Sequence, residues 1–227
     1  MKSNSRKYLK LIEKLLCPSM MCANYGNLSE EVEKLEKAGA DIFHIDIMDG
    51  QFVPNFGMGL QDVEFICKKA TIPVDAHLMI ENPGSYVEKF AKMGIKIIYI
   101  HPESDVHPTR TLQSIIDAGA TPGIAINPGT AVATIKPLLP FVKYVMVMSV
   151  NPGFAGQKYI SSVDEKIKEL IELKEKYGYE VMLDGACSPE RVETLSKMGV
   201  KGFILGTSAL FGKGKPYKEL LDGLRAL

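Results

Sequence analysis

The chain has 227 residues, 46% hydrophobic and 24% charged, with 27 Lys and Arg set against 27 Asp and Glu. That length suits one large domain with a substantial core, and the balanced charge argues against a nucleic-acid partner or an acidic disordered tail. Its four cysteines, Cys17, Cys22, Cys67 and Cys187, make no CxxC pair and no secreted-type framework, so they read as reduced thiols of a cytoplasmic protein.

The opening "MKSNSRKYLKLIEKLL" begins basic, but Lys10, Glu13 and Lys14 interrupt any apolar stretch, which argues against a signal peptide. Tyr8, Leu11, Ile12 and Leu15 share a helical face, so residues 1–14 are expected to form a short helical extension ahead of a catalytic domain over 15–227. Strand-like runs then follow at 15–21, 41–49, 73–80, 96–103, 121–127, 144–150, 180–185 and 202–207. Amphipathic stretches such as "SEEVEKLEKAGA" and "SVDEKIKELIELKEKYG" separate them. Ser29 and Ser188 read as helix caps with acids close behind, and recurring "AGA" or "MG" phrases read as glycine-terminated helix ends. Strand–helix alternation repeated eight times predicts a single (β/α)8 TIM barrel, in the α/β class. No GxGxxG follows the first strand, which weakens an open dinucleotide-binding sheet. No run is long enough to span a membrane.

Active sites of such barrels lie at the C-terminal ends of the strands. Polar residues late in the runs are therefore the candidates: His44, Asp46 and Asp49 in the second, Asp75 and His77 in the third, His101 and Glu103 in the fourth, Asp184 in the seventh. Residues two apart share a strand face, so His44 with Asp46, and Asp75 with His77, point the same way. If those faces look inward, His44, Asp46, His77 and Asp184 converge as a divalent-metal shell of two imidazoles and two carboxylates. Each has a plainer reading, as a hydrogen-bonded structural histidine or a turn aspartate before glycine. Four together favour the site, because burying each unpartnered would cost several kcal/mol. Asp75 reads as structural or as support for a ligand, and Asp49 as a turn residue.

Three glycine-bearing segments follow the last strands: "NPGFAGQ" (151–157), "DGAC" (184–187) and "GTS" (206–208). Loops in these positions commonly cradle phosphate with backbone N–H groups. A metal beside a phosphate cradle suggests a small phosphorylated carbonyl compound. Asp46 and Asp184, approaching from opposite sides, suit inversion at the carbon next to the carbonyl. No lysine sits late in a core strand, which disfavours Schiff-base chemistry.

The segments "PSMMCANYGNL", "HIDIMDGQFVPN", "DAHLMIENP", "MSVNPGFAGQ", "LDGACSPE" and "LGTSALF" together resemble the ribulose-phosphate 3-epimerase family over nearly all the chain after residue 15. The resemblance implies a homo-oligomeric (β/α)8 isomerase that epimerises a ketose phosphate at carbon 3 with one divalent metal per subunit. Two imidazoles suit Zn, Co, Mn or Fe, with Mg still possible. By the same resemblance His44, Asp46, His77 and Asp184 are the metal ligands, with Asp46 and Asp184 also the catalytic acid/base pair. The resemblance also implies that Ser19 contacts substrate, that Met48, Met79 and Met148 line the pocket, and that Gly153, Phe154, Ala155, Gly156, Gly185, Ala186, Gly206, Thr207 and Ser208 bind phosphate. The "SMMC", "GFAGQ", "DGAC" and "GTS" forms look more like the branch acting on D-allulose 6-phosphate. That substrate is the first expectation and D-ribulose 5-phosphate the alternative. A non-catalytic sugar-phosphate binder and a metal-free isomerase are the readings of other kinds.

Overall fold

The computed structural model describes residues 13–227, so the helical extension expected over 1–14 falls almost wholly outside the described residues. Eight strands are present: β1 (Leu15–Pro18), β2 (Phe43–Met48), β3 (Val74–Met79), β4 (Ile97–Ile100), β5 (Thr121–Ile126), β6 (Tyr144–Met148), β7 (Glu180–Asp184) and β8 (Gly202–Leu205). Around them run α1 (Leu28–Lys37), α2 (Leu60–Lys69), α3 (Val87–Met93), α4 (Pro108–Asp117), α5 (Val132–Ile135), α6 (Val163–Tyr177), α7 (Pro189–Met198) and α8 (Tyr217–Ala226). All seven ladders are parallel, in the order β1-β8-β7-β6-β5-β4-β3-β2, which is the (β/α)8 barrel the alternation predicts.

The strands are shorter than the apolar runs suggest because their ends give way to tight turns. Met20–Cys22 and Pro102–Ser104 form single 3-10 turns where strand was expected. Ser188 caps α7, accepting from Arg191 N–H, and Pro189 follows it at the first helical position. Ser29 is not a cap: α1 starts one residue earlier, with Asn27 at the boundary, so Ser29 lies inside the first turn.

Side-chain parity divides each strand between two cores. Phe43, Ile45 and Ile47 of β2, Ala76 and Leu78 of β3, and Val145 and Val147 of β6 pack outward against the helices. Leu15, Cys17, Ile97, Tyr99, Met146, Met182 and Ile204 fill the barrel interior. The Tyr99 ring occupies the space beside Gly123 on the adjacent strand, where a Cβ would sit 2.5 Å from it. A large residue beside an absent side chain is how a narrow barrel is filled without strain.

The barrel closes between β1 and β2 through a seam rather than a ladder. One parallel bridge joins Ser19 to His44, and Asp41 N–H donates to Leu16 O at 3.0 Å. Below the bridge, Asp41 Oδ2 accepts from Leu16 N–H at 2.8 Å and from Arg225 at 2.9 Å. Arg225, in the last turn of α8, also donates to Lys14 O and Gly39 O.

Candidate active site

The interior parity that fills the lower barrel with Tyr99 and Met182 places polar residues in the layers above. On β2 the inward residues are His44, Asp46 and Met48; on β3 they are Asp75, His77 and Met79. The β2/β3 register sets His44 beside Asp75, Asp46 beside His77 and Met48 beside Met79. On the other side, Met148 of β6 stands beside Asp184 of β7. One ligand atom from each of His44, Asp46, His77 and Asp184 lies within 4.8 Å of all the others. The sequence pattern brings these four residues together as expected.

The two imidazoles turn different nitrogens to the centre. His44 presents Nε2, 3.3 Å from Asp46 Oδ1 and 3.9 Å from Asp184 Oδ2. His77 presents Nδ1, 3.4 Å from each of those same oxygens. Behind them, His44 Nδ1 lies 2.6 Å from Asp75 Oδ1, and His77 Nε2 lies 2.8 Å from His101 Nε2. Ser19 Oγ donates to the other oxygen of Asp46 at 2.6 Å. His44, Asp75, His77 and His101 are fully buried. Both centre-facing nitrogens, His44 Nε2 and His77 Nδ1, are buried without a hydrogen-bond partner. Buried polar atoms are seldom left so, and two orphaned imidazole nitrogens facing two carboxylates fit a divalent cation.

Charges inside this cluster hold one another. Burial alone would lower both histidines, yet Asp75 and Asp46 raise His44 well above the usual imidazole value, and Asp184 and Asp46 raise His77. Asp46 is lowered despite burial by His44 and His77, whereas burial raises Asp75 against the pull of His44. Burial lowers His101 to about 4, so it is neutral. The carboxylates thus favour positive charge at this centre, which a divalent cation would also supply.

Above the cluster a cleft is lined by Met48, Met79 and Met148, by Ser19, and by the three late loops. Every expected loop residue lines it: Gly153, Phe154, Ala155, Gly156, Gly185, Ala186, Gly206, Thr207 and Ser208. Met21, Cys22, Val150 and Ile204 line it too. Sequence reasoning did not single out Met21, Val150 or Ile204, since their apolar types carry no signal apart from core. Gly185 has φ +95°, and a Cβ there would meet Val150 Cγ2 at 2.6 Å. Ala186 follows at φ 46°, a left-handed conformation that a side chain rarely adopts. Asn55, from the turn after β2, donates to Gly153 O at 2.7 Å and so joins the two sides of the mouth. Asp49 is a turn residue as expected: it accepts from Gln51 and Phe52 N–H and, across to the end of β3, from Glu81 N–H.

The model of the ribulose-phosphate 3 epimerase family matches residues 15–211. A ribulose-phosphate 3-epimerase of Aquifex aeolicus is 39% identical over 88% of this chain and 90% of its own. Another, of Helicobacter pylori, is 40% identical over 92% of this chain and 96% of its own. The tryptophan synthase α-subunit of Pyrococcus furiosus, in a mutant structure, superposes with a TM-score of 0.67 over 94% of this chain and 98% of that one, at 14% identity, a likeness of fold alone. Barrel, site and relatives define an isomerase of the sugar-phosphate 3-epimerase class. The chain belongs to the ribulose-phosphate 3-epimerase family. The relatives named here carry the five-carbon substrate in their names, against the six-carbon first expectation.

Proposed function

We propose that the chain interconverts D-ribulose 5-phosphate and D-xylulose 5-phosphate by two-base epimerisation at carbon 3. The observation that carries this reading is the placement of Asp46 and Asp184, from β2 and β7, each 3.4 Å from His77 Nδ1 at the floor of one cleft. His44, Asp46, His77 and Asp184 are the residues that would hold the divalent metal. A metal bound there would polarise the carbonyl and stabilise the enediolate formed when carbon 3 loses its proton. Asp46 and Asp184 act from the two faces of that carbon, one removing the proton and the other supplying one to the opposite face. Ser19 Oγ, donating to Asp46 Oδ2, orients that carboxylate and leaves its other oxygen toward the centre. Met48, Met79 and Met148 exclude water from the reacting carbons without competing as bases. The backbone around Gly153–Gly156, Gly185–Ala186 and Gly206–Ser208 receives the phosphate.

The five-carbon substrate is supported by the names of relatives 39–40% identical over most of the chain. The second reading, D-allulose 6-phosphate to D-fructose 6-phosphate, is favoured by Ala155, Ala186 and Thr207, where the loops depart from the usual pentose-phosphate forms and line the cleft. The test is kcat/KM for both ketose phosphates after reconstitution with Zn, Co, Mn, Fe or Mg, with solvent deuterium followed into carbon 3. A preference for the six-carbon sugar overturns the first reading in favour of the second. Absence of exchange with either sugar leaves a binder rather than an enzyme. Cytoplasmic placement and a homo-oligomer complete the proposal. No helix among the described residues is long and apolar enough to cross a membrane, and Cys17, Cys22, Cys67 and Cys187 are all free.

A further inference from the structure

His101 and Glu103 stand at the end of β4, and the epimerisation as derived above uses neither. His101 is fully buried and is not among the residues that line the cleft. Its Nε2 lies 2.8 Å from His77 Nε2. The ring centroids are 5.0 Å apart and the planes only 26° from parallel. That separation exceeds the nitrogen distance by about two ring radii, so the imidazoles meet end to end, in line for a hydrogen bond. Two nitrogens at this distance share one proton, and the geometry says which ring owns it. His77 turns Nδ1 to the metal centre, where it must offer a lone pair, so its proton belongs on Nε2. His101 must then accept at Nε2 and carry its own proton on Nδ1.

The surroundings of His101 favour that tautomer. Its Nδ1 faces Glu103 Oε2 at 3.6 Å, a carboxylate on the side where the proton must sit. Glu103 is itself fixed, accepting from Asn127 N–H at 2.9 Å and from Thr130 Oγ. Lys166 in turn donates to Asn127 O and Pro128 O, holding the turn that carries those donors. The Phe52 ring closes the remaining side of His101, 4.8 Å between centroids. The two ligand histidines are therefore supported differently: a carboxylate, Asp75, stands behind His44, and a neutral imidazole behind His77.

We propose that His101 and Glu103 are positioning residues that fix the tautomer and orientation of His77, so that Nδ1 is the nitrogen offered to the metal. This rests on the reading that His77 is a metal ligand. Partners behind a ligand histidine typically govern metal affinity by about 10- to 100-fold. His101→Leu removes the acceptor while filling the space. It is expected to weaken Zn2+ or Co2+ binding, measured by chelator competition, by about 10- to 100-fold. His101→Gln, whose carbonyl oxygen can replace the lost nitrogen as acceptor, restores affinity to within a few-fold of wild type. With metal saturating, KM for the ketose phosphate stays within about twofold in both variants, because His101 does not line the cleft. The visible spectrum of the Co2+-loaded His101→Leu protein shifts from the wild-type one.

A measurement on the unaltered protein stands if the leucine variant does not fold. In 15N-histidine NMR of the Zn2+-loaded wild type, His77 shows a hydrogen-bonded proton on Nε2 and a metal-bound Nδ1. Metal coordination through Nε2, or a leucine variant that binds metal as tightly as wild type with the same spectrum, overturns the positioning role. A glutamine variant as weak as the leucine one overturns it too. Those failures leave the metal site standing; a wild-type chain that takes up no metal, or takes it up equally well after Asp184→Asn, removes the metal site and the inference with it.

Discussion

The two sides of the barrel mouth are built from different materials. On the β2–β4 side the site consists of side chains: His44, Asp46 and His77, each locked from behind by Asp75, Ser19 or His101. On the β6–β8 side, apart from the Asp184 and Met148 side chains, it consists of backbone in turns, with Gly153, Gly156, Gly185 and Ala186 all at positive φ. The first side is buried to a few percent, while Phe154 on the second is 49% exposed. The difference follows from what each must do. A metal and two proton-transfer groups need fixed atoms in a dry setting. A dianionic phosphate arrives from water and is met well by N–H groups on loops that remain reachable.

Exchanges on either side should therefore fail in different ways, and the largest failure belongs to the side-chain half. Asp46→Asn and Asp184→Asn should each lower kcat by about 100- to 10,000-fold while the circular dichroism of the barrel stays unchanged. A variant that retains wild-type turnover would break the two-base assignment. Gly185→Ala tests the backbone half. Its Cβ must displace Val150 and sit at φ +95°, so KM for the sugar phosphate should rise roughly 10- to 100-fold, the worth of a charge-assisted hydrogen bond. Metal affinity in that variant should not change; if it falls in step with KM, the two halves are not separable.

Smaller effects probe the supports. Glu103 is lowered to about 2, because His101, Thr130 and the Asn127 N–H favour its charged form against the cost of burial. A depressed carboxylate contributes stability that is complete above its unfolded value of 4.5 and is lost as pH falls through the folded one. Urea unfolding of wild type and Glu103→Gln should differ by at most about 3 kcal/mol at neutral pH, and that gap should close between pH 4.5 and 2. A gap that persists at the acid end would assign it to packing. The smallest change is Ala186→Gly. Relief of the left-handed strain against added unfolded-chain freedom leaves a gain of at most about 1 kcal/mol, visible as a slightly higher Tm.

The same division governs what could be read from the chain before its structure. Side-chain chemistry follows strand parity, so His44 with Asp46 and Asp75 with His77 were legible as inward pairs. Eight apolar runs sufficed for the barrel, though not for the 3-10 turns that shorten β1 and β4. The helix cap at Asn27 was misplaced to Ser29 because both residue types favour a cap and two positions separate them. His101 and Glu103 were visible as polar residues at a strand end, but their service to His77 depends on the orientation of two rings across neighbouring strands. The Asn55 link to Gly153 O spans 98 residues and has no local signal. The three glycine loops were legible as a candidate phosphate cradle from their place after the last strands, but the individual residues rest on the family resemblance, since a single glycine turn looks the same with or without an anion.

The seam between β1 and β2 carries a consequence for assembly. Its single bridge joins Ser19 to His44, so the contact that makes the sheet a closed ring also seats His44 of the candidate metal site beside the serine that steadies Asp46. Further down the same seam, Arg225 from the last turn of α8 grips Lys14, Gly39 and Asp41. Ring closure is thus reinforced by α8. Beside that bridge, two Asp41–Leu16 hydrogen bonds hold this seam, and α8 shares the Asp41 carboxylate through Arg225.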